Sequence, residues 1–167
     1  MAKKWIESKY KTQNKNSIKS GVDPSSKRNI IISLTSHPKR FKQNYIAIES
    51  LLSQSLKPNK IILWLAEDEA SFDEVSEELK RAQKRGLEIA FCRQSLRSYN
   101  KLIHTLKIYG DSIIVTADDD IMYPDYWLKE LYETYLENSD CIICYRGLEI
   151  KYSQNAFEKY FLWKDFK

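Results

Sequence analysis

Three consecutive aspartates, Asp118, Asp119 and Asp120, follow directly after an apolar run over residues 112–117. A buried strand that ends in carboxylates places negative charge at the edge of a sheet, where open α/β sheets bind their ligands. Carboxylates this close repel one another unless water solvates them or a hard cation neutralises them. The pattern favours a divalent-metal site, and the alternative is a solvated loop in which one aspartate caps the next helix.

The spacing of these aspartates indicates how they would share a metal ion. Alternate residues of an extended segment point to the same face, which turns Asp118 and Asp120 toward one cation. Asp119 then faces away or contacts the sugar part of a nucleotide. Mg²⁺ or Mn²⁺ held by carboxylates bridges the phosphate oxygens of a nucleotide and offsets the charge of a diphosphate leaving group. The cluster therefore predicts chemistry on a nucleoside diphosphate.

The glycines argue against the two commonest phosphate-binding motifs. The chain has four glycines and none lies close to another. Dinucleotide-binding and P-loop proteins need a glycine-rich turn that presents backbone N–H groups to phosphate. Neither G-x-G-x-x-G nor the Walker pattern occurs in the sequence. NAD-type dehydrogenases and P-loop NTPases therefore lose their main support.

Strands and helices alternate along the chain from residue 29 onward. Apolar runs rich in β-branched residues predict strands, and apolar positions at helical spacing predict the helices between them. The predicted strands cover residues 29–35, 60–66, 87–91, 112–117 and 140–145. The predicted helices cover residues 40–54 and follow Ser71, Ser98 or Asn100, and Pro124. Connections this short imply right-handed crossovers and a mostly parallel sheet, which is an α/β, Rossmann-like core flanked by helices.

The second predicted helix carries two local signals. Its inward stripe would consist of Phe72, Val75, Leu79 and Ala82. Gly86 stands where a helix commonly ends in a backbone conformation with positive φ.

Composition bounds the class of protein. The 167 residues are 43% hydrophobic and 30% charged, as in a single globular domain, and the net charge of +4 is too small to argue for nucleic-acid binding. Residues 1–28 are basic and lack periodicity, which predicts a flexible arm. The arm is open to two interpretations, a solvated tail or peripheral contact with the anionic inner face of a membrane. No secretory signal or bilayer-length apolar run occurs, so we expect a cytoplasmic protein.

Two cysteines form a C-x-x-C pattern, Cys141 and Cys144. They fall in the predicted strand over residues 140–145, where side chains three apart point to opposite faces. This argues against a redox pair or a shared zinc ion and predicts thiols buried in the core.

Four segments, taken in order, resemble a bacterial glycosyltransferase. They are Ile-Ile-Ser-Leu-Thr-Ser-His-Pro-Lys-Arg at 31–40, Ser-Leu-Leu-Ser-Gln-Ser-Leu-Lys-Pro at 50–58, Ser-Tyr-Asn-Lys at 98–101, and Thr-Ala-Asp-Asp-Asp-Ile-Met-Tyr-Pro at 116–124. The similarity is to family 2-like enzymes of the GT-A fold, with their D-x-D signature. It implies a UDP- or GDP-sugar donor, Mn²⁺ or Mg²⁺, and inverting transfer to a glycan or lipid-linked acceptor in surface polysaccharide biosynthesis.

The resemblance also implies roles for individual residues. Thr35 and Ser36 would lie near the base, Lys101 near the phosphates, and Asp120 would be the more direct metal ligand. The residues assigned to the nucleotide sugar are Thr35, Ser36, Ser98, Asn100, Lys101, Asp118 and Asp119, and those assigned to the metal are Asp118 and Asp120.

The sequence after Asp120 departs from this family. We find no counterpart of the acceptor-side region or of the later acidic motif that supplies the catalytic base. The expected organisation is an arm over residues 1–28, a GT-A-like nucleotide-sugar-binding domain over 29–150, and an aromatic-rich tail or partial acceptor-side segment over 151–167. Two functions follow, a glycosyltransferase or a truncated, non-catalytic donor-binding module completed by a partner chain or a second copy. A phosphotransferase with an aspartate nucleophile is disfavoured, because such enzymes carry the aspartate pair on their first strand.

Overall fold

The central feature of the structure, a computed structural model that describes residues 2–165, is a parallel β-sheet. Within these residues four strands form it: β1 Ile30–Thr35, β2 Lys60–Ala66, β3 Leu87–Cys92 and β4 Ile113–Thr116. The strand order is β3-β2-β1-β4, and every neighbouring pair is parallel. The sheet therefore extends from β1 in one direction through β2 and β3, and in the other through β4. Four of the predicted strands and the parallel α/β sheet are confirmed.

Helices connect and cover the strands. In the described part of the chain they are α1 Ala2–Asn16, α2 Tyr45–Leu52, α3 Glu77–Gln83, α4 Asn100–Ile108 and α5 Trp127–Glu137. Helices α1, α2 and α3 pack against one another, whereas α4 packs against β1, β2 and β4. Both faces of β1 and β2 are buried, as expected of strands in a sheet covered on both sides. The chain divides into two compact units with a boundary after Leu128.

The region around α3 confirms one local prediction and corrects another. Gly86 has φ +111° in the turn between α3 and β3, so its backbone adopts the conformation that the sequence predicts. Val75, Leu79 and Ala82 of the predicted stripe are buried, but Phe72 is exposed. The reason is that Phe72 lies in a short 3₁₀ turn over Phe72–Glu74, and α3 begins only after Ser76, whose hydroxyl caps it.

The prediction of a flexible arm over residues 1–28 has to be corrected. Helix α1 forms in the first half of this segment. Tyr10 and Asn14 of α1 are buried. The Asn14 amide donates to the Glu49 carboxylate of α2 at 2.9 Å, and Arg85 binds the same carboxylate at 2.5 Å. The buried face of α1 thus combines a tyrosine with a hydrogen-bonded asparagine and has no aliphatic stripe, which is why hydrophobic periodicity does not reveal it.

The strand predicted over residues 140–145 is wrong. No strand covers these residues, and both Cys141 and Cys144 are exposed rather than buried core thiols. Ile142 is 97% exposed, so this apolar run does not form a buried core strand. Such a run cannot be distinguished from a loop by periodicity alone.

The strands of the second unit are very short, with two residues each among the residues that the structure describes. They are β5 Leu148–Glu149, β6 Tyr152–Ser153, β7 Ala156–Phe157 and β8 Lys164–Asp165. Strand β5 pairs antiparallel with β8, and β6 pairs antiparallel with β7. No helix among residues 2–165 has the length and apolar character needed to cross a bilayer.

Candidate functional site

The carboxyl ends of β1 and β4 lie side by side and open into one cleft. The strand register pairs Ser33 with Thr116, and the Ala117 N–H donates to the Ser33 carbonyl at 2.9 Å. This is the point at which the sheet changes its direction of growth, where open α/β sheets bind ligands. The cleft has a volume of about 470 Å³. Its lining residues are Thr35, Ser36, His37, Arg40, Glu69, Ser95, Arg97, Ser98, Asn100, Lys101, Asp118, Asp119 and Asp120.

Every residue that the sequence assigns to the nucleotide sugar or the metal lines this cleft. They come from the end of β1, from the first turn of α4 with the loop before it, and from the end of β4. The parallel sheet and the crossover through α4 bring these three segments together. Three charged lining residues, Arg40, Glu69 and Arg97, were missed by the sequence analysis.

The three aspartates occupy different environments. Asp119 is only 7% exposed, whereas Asp118 and Asp120 are 53% and 59% exposed. The Asp119 carboxylate accepts hydrogen bonds from the Ser36 hydroxyl at 2.5 Å and from Arg40 Nη1 at 2.6 Å. Asp119 is therefore fixed in the protein, while its neighbours face solvent.

The two exposed aspartates are each paired with a cation. Lys101 Nζ lies 2.5 Å from Asp118 Oδ1, and Arg40 Nη1 lies 2.9 Å from Asp120 Oδ2. The same Arg40 nitrogen also binds Asp119. Its hydrogen bond to Asp119, with the charges of both carboxylates, raises the pKa of the Arg40 guanidinium. The cluster thus carries its own counter-ions.

Helix α4 holds Lys101 in place through its contacts with β1. The Lys101 carbonyl accepts from the Ser33 hydroxyl at 2.5 Å, and that hydroxyl lies 2.7 Å from the Thr105 hydroxyl. Trp64 Nε1 of β2 donates to the same Thr105 hydroxyl at 2.8 Å. These buried hydrogen bonds fix the backbone from which Lys101 reaches Asp118.

The loop before α4 presents Arg97 in a strained conformation. Its φ is +56°, in the left-handed region that non-glycine residues rarely adopt. The Ser95 hydroxyl accepts from the Arg97 N–H at 3.1 Å, and the buried Asn100 side chain accepts from the Leu96 N–H at 2.9 Å. Asn100 is thus committed to shaping this loop. Within the described part of the chain, the Arg97 guanidinium has no carboxylate partner.

The loop after β4 is held by α2 and by a buried tyrosine. The Asp118 N–H donates to the Tyr123 hydroxyl at 2.7 Å, and burial raises the pKa of Tyr123 to about 12. Gln54, two residues after the end of α2, donates to the Pro124 carbonyl at 2.8 Å and accepts from the Leu128 N–H at 2.9 Å. The Tyr123 N–H donates to the Ser50 hydroxyl of α2 at 3.0 Å. Helix α2 and the segment directly after it therefore hold this loop in place.

Thr35 at the end of β1 and His37 just after it each use a polar side-chain atom in a hydrogen bond within the protein. The Thr35 hydroxyl donates to the Trp64 carbonyl at 2.9 Å. His37 Nδ1 accepts from the Lys39 N–H at 3.2 Å and caps a 3₁₀ turn over Pro38–Arg40, as expected of a turn residue. This turn places Arg40 beside the aspartates.

The cleft contains carboxylates, the type of ligand that hard divalent cations prefer. Among residues 2–165 no group of three or more histidine, cysteine or acidic side chains is arranged to hold a metal ion. Mg²⁺ is commonly bound through one or two carboxylates, with phosphate oxygens and water completing its octahedron. Asp118 and Asp120 supply two exposed carboxylates of this kind, and their present partners are long, flexible side chains.

Comparisons of this chain with protein-family models, with curated proteins and with solved structures found no match. The resemblance based on four sequence segments therefore stays a prediction, and the function is argued below from the cleft itself.

Proposed function

We propose that this chain binds a nucleotide-sugar donor in the cleft and, with Mn²⁺ or Mg²⁺, transfers the sugar to a glycan or lipid-linked acceptor. It would then be a metal-dependent glycosyltransferase of surface polysaccharide biosynthesis, with a GT-A-like core. One observation carries the proposal: Ser36, Lys101 and the three aspartates meet in one cleft at the carboxyl edge between β1 and β4.

The charges of the cleft suit a diphosphate that is bound together with a cation. Lys101, Arg97 and Arg40 offer cations to phosphate oxygens, and arginine binds phosphate in two-point geometry. Asp118 and Asp120 would hold the metal ion, which would supply Lewis-acid stabilisation to the diphosphate leaving group when bound. Asp119 orients Arg40 and Ser36 and keeps the Asp120 side of the cleft in place.

A second candidate function is a non-catalytic donor-binding module that needs another chain. One observation favours it: all three aspartates are paired with cations, so none of them is available as a base for the acceptor hydroxyl.

Glu69 is the carboxylate of the cleft lining that lies outside the cluster. In the enzyme, Glu69 is the residue of this lining that takes the acceptor proton.

Titration calorimetry with UDP, GDP and CMP, each with and without Mn²⁺, tests donor binding. We expect one of these nucleotides to bind, and to bind more tightly with the metal. Failure of all three to bind to the folded chain refutes both candidates.

A second assay separates the two candidates. The matching nucleotide sugar is incubated with the chain, and release of its nucleotide, UDP, GDP or CMP, is followed. Turnover that is lost in Glu69→Gln supports the enzyme, whereas nucleotide binding without any turnover supports the module.

A further inference from the structure

Helix α1 presents a row of lysines to solvent on the side that faces away from the sheet domain. We propose that this lysine face is a docking surface for a membrane of anionic phospholipid, which it contacts through its lysines and a neighbouring tryptophan. The proposal is independent of the nucleotide-sugar site, because none of the described residues that line the cleft belongs to α1.

The lysines of α1 share one side of the helix. Lys4, Lys11 and Lys15 are seven and four residues apart, a spacing that places them on one stripe of an α-helix. All three are exposed, as are Lys9 of the same helix and Lys19 just after its end. The stripe from Lys4 to Lys15 is roughly 16 Å long, given the rise per residue of an α-helix. We call these five residues the lysine face.

The opposite side of α1 is fixed to the domain. Tyr10 and Asn14 are buried there, and the Asn14 amide donates to the Glu49 carboxylate and to the Glu78 carbonyl. Glu7 is the single acidic residue among residues 1–22, and it is half-buried, three residues before Tyr10 on this inner side. The lysine face therefore points outward, and the one acid of this segment lies away from it.

The charges of the lysine face are not neutralised by the protein. In the part of the chain that the structure describes, none of its five lysines forms an ion pair with a carboxylate. Helix α3 differs, since its Lys80 pairs with Glu77 and its Arg81 with Glu78. A row of unpaired cations repels itself and attracts an anionic surface, which relieves the repulsion.

Exposed apolar side chains beside the lysines favour a lipid surface over a nucleic acid. Trp5 is 69% exposed next to Lys4, and Ile18 is 94% exposed next to Lys19. Tryptophan prefers the boundary between water and the bilayer, where its ring is apolar and its N–H remains hydrated. Residues 1–20 contain no arginine, the side chain best suited to two-point contacts with nucleic-acid phosphates and bases. Lysines clustered on a helix are typical of contact with anionic headgroups.

The experiment is flotation of the full chain with two kinds of vesicle, one of phosphatidylcholine alone and one of equal parts phosphatidylcholine and phosphatidylglycerol. We expect binding to the anionic vesicles only, and weaker binding as salt is added, because salt screens exposed charges. A combined variant with Lys4→Gln, Lys11→Gln and Lys15→Gln should bind on the order of a hundredfold more weakly, since each lysine at such a surface contributes roughly fivefold.

A matched control keeps the change in net charge and moves it off the helix. Lys27→Gln, Lys42→Gln and Lys107→Gln alter three exposed lysines outside α1. We expect this variant to bind the anionic vesicles within about twofold of the unmodified chain, because a distant exposed charge is largely screened. Circular dichroism of both triple variants checks that they fold, and the salt dependence of the unmodified chain tests the proposal without any variant.

Trp5 reports which side of the molecule meets the lipid. We expect the tryptophan emission to shift to shorter wavelength on anionic vesicles, because Trp5 leaves water for the headgroup region. Trp64 and Trp127 are already buried. Trp5→Phe should remove the shift and keep the binding in the flotation assay.

Four results overturn the proposal. They are failure of the unmodified chain to bind anionic vesicles, an equal loss of binding in the two triple variants, and an emission shift that persists in Trp5→Phe. The fourth is tighter binding to a duplex DNA oligonucleotide than to the anionic vesicles, which would assign the lysine face to a nucleic acid instead.

Discussion

Asp118, Asp119 and Asp120 are neighbours in sequence, yet their surroundings give them different roles. Asp119 is nearly buried and accepts hydrogen bonds from Ser36 and Arg40, so it holds these two side chains in position. Asp118 and Asp120 stand more than half exposed on either side of it and face the cleft. Each is paired with one cationic side chain, Asp118 with Lys101 and Asp120 with Arg40.

Replacement of either exposed aspartate tests its role as a metal ligand. We expect Asp118→Asn and Asp120→Asn each to lower the Mn²⁺-dependent affinity for the donor nucleotide at least about tenfold, in line with the loss of a charged ligand. The reason is that a neutral amide is a poorer ligand for a hard dication than a carboxylate. Calorimetry with and without Mn²⁺ measures the effect.

Asp111→Asn is the control for this experiment, because Asp111 is an exposed aspartate that does not line the cleft. It makes the same change in charge and should leave donor binding unaltered. An equal loss of affinity in Asp111→Asn would show that net charge, and not ligation, is responsible.

Tyr123 lies behind the aspartates and gives the fold a dependence on alkaline pH. Burial raises its pKa from 10.0 to about 12 in the folded chain. Below pH 10 the phenol is protonated in both states, and its contribution to stability is complete. Between pH 10 and about pH 12 the unfolded chain loses this proton first, so stability falls as pH rises through that window.

Substitution of Tyr123 by phenylalanine should reduce that loss. We expect the free energy of unfolding of Tyr123→Phe to fall on the order of 2 kcal/mol less than that of the unmodified chain between about pH 9 and about pH 12. Urea unfolding across this range is the measurement, and Tyr126→Phe, at an exposed tyrosine, is the control. Parallel pH curves for the unmodified chain and Tyr123→Phe would contradict this account.

At the scale of elements, helix α1 is fastened to the sheet domain by a buried polar network. The Asn14 amide donates to the Glu49 carboxylate and to the Glu78 carbonyl, both at 2.9 Å, and its oxygen accepts from Arg81 Nε at 2.9 Å. Glu49 is also paired with buried Arg85. The network joins α1 to α2, to α3 and to the turn before β3.

Loss of the Asn14 side chain should therefore destabilise the whole domain. We expect Asn14→Ala to lower the free energy of unfolding by about 2 kcal/mol, because it leaves the buried Glu49 carboxylate and the partly buried Arg81 guanidinium each short of one partner. Asn16→Ala, at an exposed position near the end of the same helix, should change it by less than about 0.5 kcal/mol. Chemical denaturation of both variants provides the comparison. Equal effects would reduce α1 to an ordinary surface helix.

The network also explains which elements could be predicted from the sequence. The strands β1 and β2 are runs of apolar residues, because both of their faces are covered, and such runs are visible without any structure. Helix α1 has no such run: Tyr10 and Asn14 face inward, and their burial depends on partners far along the chain. The wrong prediction of a strand over residues 140–145 has the opposite cause: an apolar run is visible in the sequence there, but it is not buried in the structure.

At the scale of the whole molecule, the site is made by the order of the strands. Ser36 and Asp118 are far apart in sequence and become neighbours because β4 pairs with β1 on the side opposite β2. The aspartates and Lys101 could be proposed from residue type and segment order. Arg40 and Arg97 could not, because nothing in their local sequence tells which way their loops turn. The two arginines of the cleft are therefore the part of the site that needed a structure.

Ligand binding at this cleft should stabilise the folded chain as a whole. A ligand that binds only the native state, at about 100 times its dissociation constant, adds about 2.7 kcal/mol to the free energy of unfolding. For a chain of this size that corresponds to a rise in melting temperature of roughly 5–10 °C. We expect such a rise with the binding nucleotide and Mn²⁺ together, and a clearly smaller one with either alone, measured by calorimetric melting.

Hydrogen exchange locates the origin of this stabilisation. The cleft is formed by residues of the first unit, so the amides that gain protection should lie in the loops after β1 and β4 and in the first turn of α4. Asp120→Asn should lose the part of the melting shift that depends on Mn²⁺ and keep the melting temperature of the free chain, because an exposed carboxylate contributes little to folding. A shift that persists in Asp120→Asn, or protection gained only outside these loops, would place the nucleotide elsewhere on the molecule.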